Sequence, residues 1–305
     1  MKLIILGASA GGGFPQWNCN CRNCAGVRDG SVRAKPRTQS SICVSADGVD
    51  WALLNASPDI LLQIKATPEL QPHRALRDTG IGGVLLVDGQ IDHATGLFML
   101  REQKQPLPLW CADPVYEDLT TGNPVLKVLA HYSGVVRHSV PLDGSPFAMD
   151  KVQGLSFSAL PLTSKAAPYS PHREQSVDGD NIGLTITDQA SGKRLFYAPG
   201  LGANDPQVFA RMKEADCVLV DGTFWTDDEM ISAGLSDKTA RDIGHLPQSG
   251  TGGMMDWLGE LPKSVRKILI HINNTNPILD EDSPQRAELT RRGIEVAEDG
   301  MRITF

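Results

Sequence analysis

Short apolar runs, separated by glycine, proline and polar turns, recur along the whole chain. Runs of about four to eight apolar residues between such turns are typical of buried strands. They predict strands at 2–7, 39–46, 50–55, 82–87, 107–111, 154–161, 181–187, 194–198, 216–221, 266–271, 293–297 and 301–305. Stretches with helical spacing predict helices at 57–66, 92–103, 113–122, 206–214, 248–259 and 283–292.

Tight turns such as 46–48 favour antiparallel pairing of the strands they join. Helices recur in both halves of the chain, and two sheets packed face to face with helices outside would bury the apolar faces of all these elements. Glycine and proline are dispersed, without a repeat or a linker. We therefore expect one layered α/β (α+β) domain that spans residues 1–305.

Composition restricts the classes of partner. Hydrophobic residues make up 41% and charged residues 21% of the chain, and the net charge of −7 predicts no nucleic-acid-binding surface. No apolar run approaches the roughly 20 residues of a membrane helix. Met1 leads directly into a strand, without the pattern of a secretory leader, so we expect a cytoplasmic protein with reduced thiols.

Three cysteines, Cys19, Cys21 and Cys24, lie within six residues of one another. Thiolates are common ligands of structural zinc, which prefers four tetrahedral ligands. In a reducing compartment this spacing favours a zinc site over a disulfide with a spare thiol, which is the alternative. The fourth ligand must come from elsewhere in the chain. The other three cysteines lie among apolar residues, and we expect them to be small core residues.

Polar side chains crowd the end of the predicted strand 82–87, where Asp88, Gln90, Asp92 and His93 follow one another. Layered α/β proteins build sites at such strand ends. The alternative is an ordinary strand-to-helix turn in which Asp92 caps the helix.

Two further histidines favour a functional interpretation. His271 ends an apolar strand, and His245 precedes the predicted helix 248–259. Either one alone is more often a structural histidine, but the carboxylates at the other strand ends favour a shared site. The polar stretch 167–179, which contains His172, is a candidate for a flap over that site.

Six motifs in a fixed order resemble the pyrroloquinoline quinone (PQQ) biosynthesis protein B family, a branch of the metallo-β-lactamase superfamily. They are LGASAGGGFPQWNCNCRNC from residue 6, DGQIDHATG from 88, YAPGLG from 197, DGTFW from 221, GHLPQSG from 244 and HINNTNP from 271. The resemblance covers nearly the full chain. It implies a four-layer αββα fold with two facing mixed sheets.

The same resemblance assigns roles to the strand-end residues. In the superfamily motif His-x-His-x-Asp-His, Asp88 and Gln90 stand at the first two histidine positions, while Asp92 and His93 are kept. The loss of two imidazoles argues against a two-zinc hydrolase. Asp221 falls near an acidic strand-end position of the relatives.

His245 matches a Gly-His motif that supplies a catalytic histidine in phosphodiesterase relatives, and His271 matches the last active-site histidine. In those relatives a histidine three residues later is the fourth structural zinc ligand. Asn274 stands there in this chain, so the resemblance implies a zinc site of Cys19, Cys21 and Cys24 completed by Asn274 or by water.

The remaining ligands suffice for one metal. His93, His271 and a carboxylate, either Asp92 or Asp221, would form a two-histidine, one-carboxylate set, which suits non-haem Fe²⁺ and oxygen chemistry. The resemblance implies an iron-dependent oxygenase that hydroxylates the tyrosine-derived ring of a crosslinked Glu-Tyr precursor of PQQ.

Other residues receive supporting roles. We expect His245 to act as a general acid or base or to support a ligand, with Asp88, Gln90 and Asn273 binding substrate or orienting ligands. The substrate carries carboxylates, so a cationic anchor is also expected. Its candidates are Arg22, Lys165 and Arg173, among which spacing does not choose.

Two other functions stay open. The first is a carrier that holds PQQ or its precursor without catalysis, with other proteins of the pathway as further candidate partners. The second is a residual metal hydrolase, which Asp88, Gln90 and Pro199 disfavour because they replace the usual ligands.

Overall fold

Fourteen strands form two seven-stranded sheets, and the computed structural model describes all of residues 1–305. The strands are β1 (Lys2–Gly7), β2 (Ser41–Ser45), β3 (Trp51–Leu54), β4 (Ile81–Leu85), β5 (Leu107–Cys111), β6 (Val135–Ser139), β7 (Phe147–Met149), β8 (Val152–Pro161), β9 (Ile182–Asp188), β10 (Arg194–Ala198), β11 (Cys217–Asp221), β12 (Arg266–Ile270), β13 (Ile294–Val296) and β14 (Arg302–Thr304). The first sheet has the order β14-β1-β2-β3-β4-β5-β6, and the second has the order β13-β12-β11-β10-β9-β8-β7.

Short helices connect these strands. They are α1 (Arg22–Asp29), α2 (Ile60–Ala66), α3 (Ile91–Ala94), α4 (Asp113–Asp118), α5 (Val125–Leu129), α6 (Pro206–Glu214), α7 (Glu229–Ser232), α8 (Met254–Glu260) and α9 (Pro284–Arg291). Single 3-10 segments cover Pro68–Leu70, Thr95–Leu100, Arg241–Ile243 and Pro277–Leu279. None of the helices combines the length and the hydropathy that crossing a bilayer requires.

The two faces of each sheet belong to different cores, because successive side chains of a strand point in opposite directions. In β1, Leu3 and Ile5 belong to the core between the sheets, whereas Ile4 and Leu6 pack beneath helices. A core of 28 buried residues separates the sheets, and cores of 26 and 22 lie under the helices on either side. The expected four-layer arrangement is thereby confirmed.

Half of each sheet is parallel. Strands β3 to β6 run parallel to one another, as do β10 to β13, and antiparallel pairs make up the other half of each sheet. The turn 46–48 does join an antiparallel pair, β2 and β3, but antiparallel pairing does not hold throughout. Parallel strands need crossover connections, which the helices between β3 and β6 and between β10 and β13 provide.

Of the predicted helices only 206–214 has the predicted bounds, and the two at 92–103 and 248–259 differ most. The segment 92–103 is α-helical only as α3 and continues as the 3-10 segment Thr95–Leu100. The helix predicted at 248–259 begins only at Met254, because Gly250 and Gly252 adopt the left-handed conformation (φ 84° and 70°), which interrupts a helix. Strands β6 and β7 and helices α1, α5 and α7 were not predicted.

Candidate functional site

The candidate site lies where the carboxyl ends of parallel strands from both sheets meet. Asp88 follows β4 of the first sheet, Asp221 ends β11 and His271 directly follows β12 of the second. The backbone of Ile182 donates a hydrogen bond to Val87 across the sheets (2.9 Å), which holds the two edges together beside the site. The strand ends named by the sequence are therefore neighbours in space.

His93 is held by Asp88. Its Nδ1 atom lies 2.8 Å from both carboxylate oxygens of Asp88, and both residues are buried. This contact places the Nδ1 proton toward the carboxylate, so the lone pair of a neutral imidazole resides on Nε2. The Nε2 atom is buried and has no hydrogen-bond partner. Such an atom is unfavourable unless something binds it.

Asp92 and His271 complete a cluster with His93. Asp92 Oδ2 lies 3.1 Å from His271 Nε2 and 3.9 Å from His93 Nε2. Ligand atoms of all three residues lie within 4.8 Å of one another, as a shared cation requires. The donor set of two imidazoles and one carboxylate fits a transition metal such as Fe²⁺.

The backbone of His271 is in the left-handed region, with φ 61°. Only two non-glycine residues of the chain have this conformation, and it is uncommon outside glycine, asparagine and aspartate. His271 Nδ1 lies 2.9 Å from the hydroxyl of Thr223. The turn and this contact aim Nε2 at Asp92.

Asp221 is a buried carboxylate that holds His245 and Thr223 at the site. It is fully buried, and its two oxygens accept hydrogen bonds from Leu201 N (2.9 Å), Thr223 N (2.9 Å), Thr223 Oγ1 (2.6 Å) and His245 Nδ1 (2.6 Å). These bonds occupy the carboxylate. Asp92 thus groups with His93 and His271, whereas Asp221 groups with His245 and His271 and holds Nδ1 of His245.

The carboxylates and imidazoles of this cluster shift each other's pKa values. Burial disfavours a charged imidazole, but Asp88 and Asp92 outweigh it and raise the pKa of His93 to about 9. Burial disfavours the charged form of Asp92 as well, yet His93 and His271 hold its pKa below the usual range. In the same way Asp221 raises the pKa of His245 despite burial.

The cluster opens into a cavity of about 290 Å³. Of its 17 lining residues only three are hydrophobic, and the lining includes Gln90, Asn273 and Arg173. Arg22 and Lys165 do not line it. Gln90 N donates to Asp88 Oδ1 (2.9 Å), and Asn273 Nδ2 donates to Thr275 Oγ1 (2.5 Å).

Sequence reasoning did not single out Thr223 or Asn181. Thr223 links Asp221, His245 and His271 through one hydroxyl, and Asn181 lines the cavity. Thr223 lies inside the DGTFW motif, two residues after a strand-end aspartate, which was a usable signal. Nothing in the local pattern distinguishes Asn181.

The three cysteines converge on Asn274. Its Nδ2 atom lies 3.1 Å from Cys19 Sγ, 3.6 Å from Cys21 Sγ and 3.4 Å from Cys24 Sγ. The three sulfurs lie within 4.8 Å of one another, which suits one tetrahedral ion. A rotation of the amide by 180° would direct Oδ1 at the same point, since the two ends of the amide are nearly isosteric.

The backbone supports these thiols. Gln16 N donates to Cys24 Sγ (3.3 Å) and Cys21 N donates to Cys19 Sγ (3.4 Å). Burial raises the pKa of Cys24 to about 11 in the absence of a metal. The side chain of Asn23 donates to the carbonyl of Asn274 (3.1 Å), which ties the cysteine loop to the segment after His271.

Comparisons with known proteins agree on one family. A model of the β-lactamase superfamily domain matches residues 50–272. Over the full length of both chains, the sequence is 64% identical to coenzyme PQQ synthesis protein B of Azoarcus sp. (strain BH72). It is 57% identical, again over both full lengths, to the protein of that name from Methylococcus capsulatus (strain ATCC 33009 / NCIMB 11132 / Bath).

Solved structures give the same result. A crystal structure of Zn²⁺-bound PqqB from Methylobacterium extorquens superposes with a TM-score of 0.92 at 39% identity and covers 100% of both chains. A diphosphatase of the PhnP family shares the fold, with a TM-score of 0.68 at 17% identity over 100% of this chain and 97% of that one. The chain therefore belongs to the coenzyme PQQ synthesis protein B (PqqB) family of the metallo-β-lactamase superfamily.

Proposed function

We propose that this chain acts in PQQ biosynthesis as an iron- and oxygen-dependent hydroxylase of the tyrosine-derived ring in a crosslinked Glu-Tyr precursor. Its relatives that are 57–64% identical carry the name of PQQ synthesis proteins, which supports the pathway. The observation that supports the chemistry is the buried, unpartnered Nε2 of His93, which faces Asp92 and His271.

His93, His271 and Asp92 would hold the iron. When bound, Fe²⁺ would supply the redox chemistry that activates O₂, because three protein ligands leave coordination positions open. Asp88 keeps the Nδ1 proton of His93 away from the cavity and so keeps Nε2 available. Thr223 and the left-handed turn at His271 fix the second imidazole.

His245 would act as the general base that accepts the proton of the phenol. Its Nδ1 is held by Asp221 at 2.6 Å, and its ring stacks on His271 with centroids 5.3 Å apart. Since Asp221 raises its pKa, the imidazole can accept a proton and keep it near neutral pH. The polar lining of the cavity suits a polar, dipeptide-derived molecule better than an apolar ligand.

The second proposed ion is a structural zinc bound by Cys19, Cys21 and Cys24, with Asn274 as the fourth ligand. The Zn²⁺ in the crystal structure of the relative from Methylobacterium extorquens supports metal binding in the family. The proposal predicts one zinc that stays bound when the histidine cluster is altered.

Oxygen consumption tests the hydroxylase. Hydroxylation of one C–H bond consumes one O₂ and two electrons and releases one water, so the assay contains ascorbate as reductant. Protein prepared without oxygen and loaded with Fe²⁺ should consume O₂ only with the crosslinked Glu-Tyr precursor. His93→Ala and His271→Ala should lose this activity and keep zinc. Tight binding of the precursor without O₂ uptake in the iron-loaded protein would overturn the hydroxylase and favour the carrier.

A further inference from the structure

Arg173 is the only lysine or arginine that lines the cavity of the histidine cluster. Arg22, another cation considered for this role, pairs with Asp280 (2.8 Å) beside the cysteine loop and faces a different cavity. The side chain of Lys165 is exposed and is absent from the lining. The cavity thus has one fixed positive charge apart from its histidines.

The guanidinium of Arg173 has spare hydrogen-bonding capacity. Its Nη1 donates to the carbonyl of Ala166 (2.5 Å), and it forms no ion pair with any carboxylate of the chain. Arginine carries five N–H donors in a planar fork that matches a carboxylate. A half-buried arginine without an acidic partner, at the wall of a cavity, is therefore available to an anionic ligand.

The segment that carries Arg173 is attached to the metal-ligand loop. The hydroxyl of Tyr169 donates to the carbonyl of Gly89, which lies between Asp88 and Gln90. His172, next to Arg173, contacts Asp180 at 3.1 Å and Glu117 at 3.4 Å. These contacts hold the segment on the N-terminal side of Arg173, and the bond to Ala166 holds its guanidinium at the cavity wall. Groups that are positioned before binding lose less entropy on binding.

We propose that Arg173 binds a carboxylate of the substrate through a bidentate ion pair and thereby orients the ring toward His93, Asp92 and His271. The identity of the substrate rests on the proposed function, but the anion-binding role does not. Asp88 and Asp92 make the ligand end of the cavity unfavourable for a second carboxylate, so the anionic group lies at the Arg173 end. Arg173 is accordingly a substrate-positioning residue.

Binding measurements test this without turnover. PQQ, a polycarboxylate, and its methyl ester serve as probes in calorimetric titrations of the protein with its bound metals. Since charge-assisted bidentate pairs are strong, Arg173→Met should weaken PQQ binding about 10- to 100-fold and ester binding less than about twofold. Arg173→Lys should recover part of the loss, and Lys165→Met should bind like the wild type.

The outcomes separate this inference from the hydroxylase. If Arg173→Met discriminates acid from ester while the wild type consumes no O₂ with the precursor, the anion site stands and the hydroxylase fails. If the wild type turns over, the same variant should raise KM for the precursor and also lower kcat, because the ring is less well oriented. An equal loss for acid and ester, a loss confined to Lys165→Met, or no binding of either probe by the wild type would overturn the inference.

Discussion

His93 Nδ1 lies 2.8 Å from both oxygens of Asp88, and the two residues are buried together. The superfamily resemblance aligns Asp88 with the first histidine of the motif His-x-His-x-Asp-His. Asp88 contacts Nδ1 of His93, the ring nitrogen on the side opposite to Asp92. The replacement does not simply delete a ligand, because the carboxylate fixes the tautomer of His93.

Asp88→Asn should weaken Fe²⁺ binding about 10- to 100-fold, the usual cost of losing a group that orients a metal ligand. An asparagine amide can donate to Nδ1, which would move the imidazole proton to Nε2 and block the metal-binding atom. Anaerobic Fe²⁺ titration measures the affinity, and zinc content should not change. Asp178→Asn, which removes an exposed carboxylate, is the matched control. Unchanged Fe²⁺ affinity in Asp88→Asn would contradict this role of the Asp88–His93 contact.

Cys21→Ser should remove the structural zinc and lower the free energy of unfolding by several kcal/mol, because a structural zinc contributes its binding energy to folding. The cysteine loop also holds the segment that follows His271, so Fe²⁺ affinity should fall with it. Zinc content and urea unfolding are measured side by side. Asn20→Ser, an exposed change between two of the cysteines, is the control. A Cys21→Ser protein with wild-type stability and reduced activity would mean that the zinc site is misassigned.

The sequence predicts those elements that are apolar and continuous. Strands β1 and β10 and helix α6 have the predicted bounds, since each is a buried run or an amphipathic segment between clear turn signals. Strand β6 lies at the edge of its sheet and is half-exposed, with the sequence VVRHS. Its stability comes from neighbours, such as the stacking of His138 on Trp110 with centroids 4.2 Å apart, which a local pattern cannot contain.

The candidate site, too, could be predicted from the sequence only in part. The strand-end positions of Asp88, Asp221 and His271 could be predicted from the sequence, because apolar runs end there, and Asp92 follows four residues after the first of them. Which carboxylate faces the histidines could not, since that depends on hydrogen bonds between β11 and two loops distant in sequence. The choice of Arg173 among three cations likewise required the course of the segment that carries it.

Asp221→Asn should lower the free energy of unfolding by about 3 kcal/mol, because its buried oxygens accept four hydrogen bonds and an amide nitrogen would face backbone donors in place of one oxygen. His245 and Thr223 lower the pKa of Asp221 against the effect of burial. The stability it contributes is therefore present above the unfolded pKa and lost as the pH falls. Urea unfolding at neutral pH checks the loss, and Asp237→Asn on the surface should change little.

Glu229 gives a prediction of the opposite sign. Its carboxyl oxygens accept hydrogen bonds from Trp225 N (2.7 Å) and Thr275 Oγ1 (2.5 Å), and burial raises its pKa to about 7. The folded state thus binds this proton more tightly than the unfolded chain does. The contribution of Glu229 to stability is fully present below the unfolded pKa of about 4.5 and is lost as the pH rises through about 7.

Glu229→Gln keeps the shape of the side chain and removes its titration. The difference in free energy of unfolding, variant minus wild type, should increase by about 1–3 kcal/mol from pH 5 to pH 8. The reason is that only the wild type buries a charged carboxylate at the higher pH. Urea unfolding of both proteins at the two pH values, with the same metal content, measures the change. If the difference in free energy of unfolding is the same at both pH values, Glu229 has the same pKa in the folded and unfolded states. Its burial would then not disfavour the charged carboxylate.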